Sequence, residues 1–156
     1  MGVVGFSQGG CAAGMVASLL EAGRREAFRK AEGKGGMPYP ESFAELRHPP
    51  LRFAVSYSGF GAPHGLYRAF YEPKIGTPMV HFIGSLDTVV DEARSRRLVD
   101  ACDAGGRDRV VYHPGGHFLP TQKQFLNVLI GFIQESIADR VEGEEEGKAE
   151  NIDMPF

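Results

Sequence analysis

The pentapeptide Gly5-Phe6-Ser7-Gln8-Gly9 falls almost at the start of the chain and has the Gly-x-Ser-x-Gly form of a nucleophile elbow. An elbow sets a serine on a tight turn between a strand and a helix, so that its hydroxyl projects above a sheet. The motif therefore demands strand, turn and helix in that order. In a chain with 21 glycines the pattern alone is weak, and its flanks must support it. They do. Gly2-Val3-Val4 reads as a short buried strand, and residues 11–20 form an apolar run rich in small side chains, suited to a helix pressed onto a sheet. A Cβ at position 5 or 9 is expected to crowd the turn.

The remaining chain alternates strand and helix patterns. The helix after the elbow is predicted over 10–29, turning charged at Glu21, Arg24, Arg25 and Glu26 as it meets water. Residues 33–40 are loop by composition, and His48-Pro49-Pro50 punctuates the approach to the next strand. Apolar, β-branched runs predict strands within 51–58, 78–84 and 109–113, with helices over 91–103 and 121–137. Alternation of this kind implies right-handed crossovers and a parallel sheet of about four strands with helices on its faces, an α/β fold.

In such sheets functional groups collect at the carboxyl ends of the strands. Asp87 follows the strand in 78–84, with Asp91 as its nearest competitor; a turn residue capping a helix is the alternative role for Asp87. His117 lies in the loop after the strand at 109–113, where Gly115 and Gly116 allow the chain to fold back toward Ser7. Serine, acid, histidine is the chain order expected when a triad is built on this type of sheet. A serine hydroxyl is a poor nucleophile at neutral pH, so an imidazole must take its proton and a carboxylate must orient that imidazole. The other histidines fit less well: His48 and His64 sit beside prolines, His113 ends a strand, and His81 reads as a hydrogen-bonded core residue. The backbone N–H of Gln8 is the candidate oxyanion donor. Phe60 and Leu66 are candidates to line an acyl pocket, with packing of a short helix, together with Tyr67, Phe70 and Tyr71, as the ordinary alternative.

With 156 residues and 42 % hydrophobic content, the chain suits one domain over 1–140. After Val141, Glu142, Glu144, Glu145, Glu146, Glu150 and Asp153 face only Lys148, so the net charge of −3 belongs to the chain end and the body is close to neutral. That distribution argues against nucleic acid as a partner, and 141–156 is expected to be a disordered acidic tail. Cys11 and Cys102 have neither metal nor redox spacing, and no cofactor is expected. With no leader-like or membrane-length apolar run, a cytosolic protein without membrane association is the expectation.

The segments Gly5-Phe6-Ser7-Gln8-Gly9, Phe53 to Phe60, Ile83 to Val90 and Gly115 to Pro120 together resemble the FSH-type serine hydrolases, an α/β-hydrolase branch that includes fungal esterases and polyketide-releasing thioesterases. The resemblance spans about residues 2–137 and implies Ser7 as nucleophile, Asp87 as acid and His117 as base. It implies a small-molecule acyl ester or thioester as substrate, free or bound to a carrier protein. A neighbouring branch, the acyl-protein thioesterases and carboxylesterases, shares a similar elbow but departs at Ser58-Gly59-Phe60 and at the histidine loop. The family also implies strands and helices ahead of the elbow, including a loop with a second oxyanion donor, where six residues precede Ser7 here. The expectations that follow are an N-terminally truncated, C-terminal part of an α/β-hydrolase fold, with weakened activity and self-association through an exposed sheet edge. An idle triad on a fold serving as a binding or assembly module is the alternative function.

Overall fold

The computed structural model describes the backbone of residues 1–149 and the side chains of residues 1–138. Two compact units divide after Pro120, and the sheet belongs wholly to the first. Its elements are β1 (Gly2–Phe6), α1 (Gln8–Leu19), α2 (Arg24–Glu32), α3 (Glu41–Ala44), β2 (Phe53–Tyr57), a single 3-10 turn (Gly65–Tyr67), α4 (Arg68–Tyr71), β3 (Met79–Gly84), α5 (Glu92–Asp100) and β4 (Arg109–His113). The four strands lie in the order β1-β2-β3-β4, all parallel. Each crossover therefore delivers its following loop to the same carboxyl edge, which is what gathers distant residues into one site.

Register explains the core. Val3 pairs with Ala54 and Ala54 with Met79, which sets these three on one face, where they pack with Ala17 of α1, Leu98 of α5, Leu51 and Ile75. Small residues bring α1 close: a Cβ on Gly14 would stand 2.9 Å from the Leu98 Cδ1. On the opposite face Val55, Val80 and Phe82 are buried, and the Tyr57 and Phe82 rings stack at 4.6 Å. All six residues of β3 are buried, as a central parallel strand requires. β1 is an edge strand, and it leaves Val4 57 % and Phe6 37 % exposed.

The helix predicted over 10–29 is two helices. Gly23 takes φ of 79°, a left-handed conformation in which a right-handed helix cannot continue. The break draws Arg24 inward until it is 1 % exposed. Its guanidinium donates to the carbonyls of Ala69, Pro73 and Lys74 and pairs with Glu21 at 2.6 Å, while Glu21 also accepts from the amide and hydroxyl of Thr77. A charge is tolerated in the interior only with such partners. The expected surface arginine is thus a clamp joining the α1–α2 turn to the segment before β3. Phe28 of α2 packs with Leu19, Ala69 and Phe70, so the ordinary helix-packing reading holds for Phe70.

The second unit contains α6 (Lys123–Ala149). Its backbone is helical through the boundary expected after residue 140, because nothing in the composition of 138–149 interrupts a helix strongly enough. Helical backbone reaches Ala149 within the acidic stretch, and residues 150–156 of the expected tail lie outside the described residues. No helix among the described residues is long and apolar enough to cross a membrane.

Candidate active site

Ser7 stands between β1 and α1 with φ of 54° and ψ of −117°, the turned backbone that an elbow requires. Its amide donates to the Tyr57 carbonyl at 2.7 Å, tying the turn to the end of β2, and its hydroxyl makes no cap bond to α1. That hydroxyl is directed elsewhere: Ser7 Oγ lies 2.9 Å from His117 Nε2, and His117 Nδ1 lies 2.8 Å from Asp87 Oδ2. The structure thus brings together the three side chains singled out in the sequence.

The carboxylate is fixed from both sides. Asp87 Oδ1 accepts from the amides of Val89 and Val90, each at 2.9 Å, and its side chain is 2 % exposed. Burial alone would push its carboxyl up, but the His117 hydrogen bond and the Val90 and Val89 amides outweigh that and hold it below its ordinary value. An ionised carboxylate only accepts, so Nδ1 carries the imidazole hydrogen and Nε2 is left to accept from the Ser7 hydroxyl. Asp91, the competitor, caps α5 by accepting from the Arg94 amide. The helix-capping role weighed for Asp87 thus falls to Asp91, while Asp87 accepts from two turn amides and from His117.

The two motif glycines differ. A Cβ on Gly5 would collide with the Gly9 carbonyl, whereas one on Gly9 would meet nothing within 4 Å. The expectation that both positions exclude a side chain is correct for Gly5 only, because Gly9 sits on the open side of α1. Gly10 carries the constraint instead: a Cβ there would lie 2.7 Å from Ser56 Oγ and 2.9 Å from the Gly59 Cα. Ser95 Oγ donates to the Gly59 carbonyl at 2.8 Å, so α5 braces the strand end against which the elbow helix rests. Gln8 opens α1, and its N–H has no intrahelical carbonyl to bond.

Phe6 was absent from the sequence candidates, yet its ring lies 4.9 Å from the His117 ring and backs the imidazole. The only signal for it was its place inside the motif. Phe60 lies beneath the Arg94 guanidinium, 4.4 Å from centroid to Cζ, and Leu66 sits on the 3-10 turn with 36 % exposure. His81 is buried as expected but its Nε2 has no hydrogen-bond partner among the described residues; burial, with Arg96 nearby, lowers its pKa to about 4 and keeps it neutral at pH 7. His113 is likewise buried and lowered by burial, against the ring of Phe118 at 5.4 Å. His48 is half-buried, and His64 accepts from the Leu66 amide. Cys11 and Cys102 are free and buried, and the described residues hold no cluster of metal-ligating side chains.

Known proteins share this sequence and shape. Residues 1–129 match the serine hydrolase family FSH1. The chain is 36 % identical over 132 residues to a dihydrofolate reductase of Schizosaccharomyces pombe, covering 85 % of the chain and 24 % of that protein. It is 32 % identical over 152 residues to family of serine hydrolases 3 of Saccharomyces cerevisiae, covering 97 % of the chain and 50 % of the relative. The chain therefore spans half or less of the length of these curated relatives. A crystal structure of Zea mays acyl-protein thioesterase 2 superposes with a TM-score of 0.51 and 22 % identity over 86 % of the chain and 55 % of that structure. That likeness is one of fold, and it makes the four-stranded sheet with its helices part of an α/β-hydrolase fold. With the family match covering most of the chain, the protein belongs to the FSH1 serine hydrolase family.

Proposed function

We propose that the protein cleaves a carboxylic ester or thioester through an acyl-enzyme on Ser7. The observation that carries this reading is the unbroken hydrogen-bond chain from Ser7 Oγ through His117 to Asp87, at 2.9 and 2.8 Å. Ser7 Oγ bonds to the acyl carbon as its proton passes to His117 Nε2, and the carbonyl π electrons move onto oxygen, where the Gln8 N–H donates to them. Collapse of this intermediate breaks the bond to the alcohol or thiol, which leaves with the proton from His117. Water then repeats the sequence, releasing the acid and restoring the Ser7 hydroxyl. Asp87 holds the ring tautomer and stabilises the imidazolium without itself taking the proton.

The loops that carry Asp87 and His117 also expose Leu86, Val89, Phe118 and Leu119, which favours an apolar acyl group beside the reacting carbonyl. Phe60 and Leu66 belong to the same proposed acyl-binding surface. The acyl group reaches the site as a small molecule or on a carrier protein, in the cytoplasm, where two buried free cysteines stay reduced. The outer edge of β1 supports a further reading, pairing with a second strand, because apolar edge residues and unused backbone groups invite it. Hydrolysis of a short-chain p-nitrophenyl ester and its acyl thioester counterpart tests the catalytic reading. Turnover that disappears in Ser7→Ala is the expected result, and equal rates for the parent and Ser7→Ala would refute it.

A further inference from the structure

β2 lies between β1 and β3, so the hydrogen-bond chain from Ser7, just after β1, to Asp87, after β3, must cross the carboxyl end of β2. Ser58 is the first residue there. Phe6 pairs with Tyr57, so in register Ser58 stands beside Ser7, and its amide donates to the Phe82 carbonyl of β3 at 2.9 Å. Among the described residues, Ser7 and Ser58 are the two non-glycine residues with positive φ, 54° and 48°. Glycine would adopt that conformation without strain, and strained backbone concentrates at functional sites.

Ser58 is also 1 % exposed, and its Oγ has no hydrogen-bond partner among the described residues. A buried hydroxyl left unpaired is costly, and such an exception requires a cause. Asp87 offers the complement. Its Oδ1 accepts two amides and its Oδ2 accepts from His117; since a carboxylate has about four acceptor sites, one on Oδ2 is unused. With the Asp87 side chain only 2 % exposed, solvent has little access to that site. An unused donor therefore ends β2 and an unused acceptor follows β3, its neighbour in the sheet.

We propose that Ser58 is a positioning residue for the His117–Asp87 pair, its hydroxyl turning to donate to the open acceptor site of Asp87 Oδ2 as the imidazolium forms. This rests on the reading of Ser7, His117 and Asp87 as a hydrolytic triad. The added donor fixes Oδ2 in line with the ring as the ion pair develops. Removing it takes away a bond made with the ion pair, so His117 gives up its proton at lower pH. The other titratable group that interacts with this carboxylate is His113, which feels the Asp87 charge.

Two variants separate hydroxyl from backbone: Ser58→Ala removes the hydroxyl and keeps the strained φ, while Ser58→Gly removes both. In each, the His117 ring is titrated by NMR and fluorophosphonate labelling of Ser7 is timed across pH. The expected result, the same in both variants, is a His117 midpoint lowered by roughly half a pH unit and a plateau labelling rate about three- to tenfold lower. An unchanged midpoint and rate in two folded variants overturns the proposal, as does a shift in Ser58→Ala that Ser58→Gly lacks, which would assign the effect to strain. The NMR titration reads His117 whether or not Ser7 reacts. A parent that never labels therefore refutes the hydrolase reading alone, while an unmoved His117 midpoint refutes the role of Ser58.

Discussion

β3 and β1 share one sheet and one parallel register, yet their apolar side chains meet different fates. Every residue of β3 is buried, while β1 exposes Val4 and Phe6. Hydrophobicity in β3 acts through burial and holds the sheet together. In β1 it acts locally: Phe6 backs the His117 ring, and Gly5 lets the turn close on the Gly9 carbonyl. Similar apolar runs thus serve stability in one strand and presentation of the proposed nucleophile in the other.

Substitution can break this contrast. The largest effect is expected at the centre: Phe82→Ala removes a ring that is 1 % exposed and stacked on Tyr57, and should lower the unfolding free energy by about 3–5 kcal/mol in urea titrations. A loss below about 1 kcal/mol would show that β3 is not the stabilising strand. At the elbow, Gly5→Ala must displace the Gly9 carbonyl and should remove Ser7 labelling, whereas Gly9→Ala, with nothing within 4 Å, should keep labelling and raise helix stability by about 0.5–1 kcal/mol. Equal behaviour of the two variants would contradict the asymmetry. The smallest change in stability belongs to the edge. Val4→Lys should alter unfolding by no more than about 0.5 kcal/mol, yet move the protein from associated to monomeric species in sedimentation, because a charge blunts an exposed strand edge. A parent that already sediments as a 17.0 kDa monomer would remove the proposed pairing.

The same contrast sets how much was legible beforehand. Strands β2, β3 and β4 announce themselves through β-branched and aromatic runs, and β4 falls on 109–113 as read. Asp87 and His117 could be found because each follows such a strand at the edge where loops converge. The α1–α2 break was hidden, since the pattern of 10–29 runs on through Glu21 and the left-handed turn at Gly23 has no mark beyond one glycine among many. α3 was assigned no element, because its four residues fall between the loop at 33–40 and the prolines at 49 and 50 and are too few to show a helical period. Ser58 and Gly10 were illegible for another reason: register and close approach between strands and helices give them their meaning, and neither is visible along a single line of residues.

The central claim is that Ser7 is activated by His117 across the 2.9 Å contact. Its most direct measurement is mass-spectrometric mapping of a fluorophosphonate adduct on the protein and on His117→Ala. The account predicts an adduct on Ser7 in the parent that forms at least about a hundredfold more slowly in the variant. An adduct on another residue, or equal rates with and without the imidazole, would contradict it.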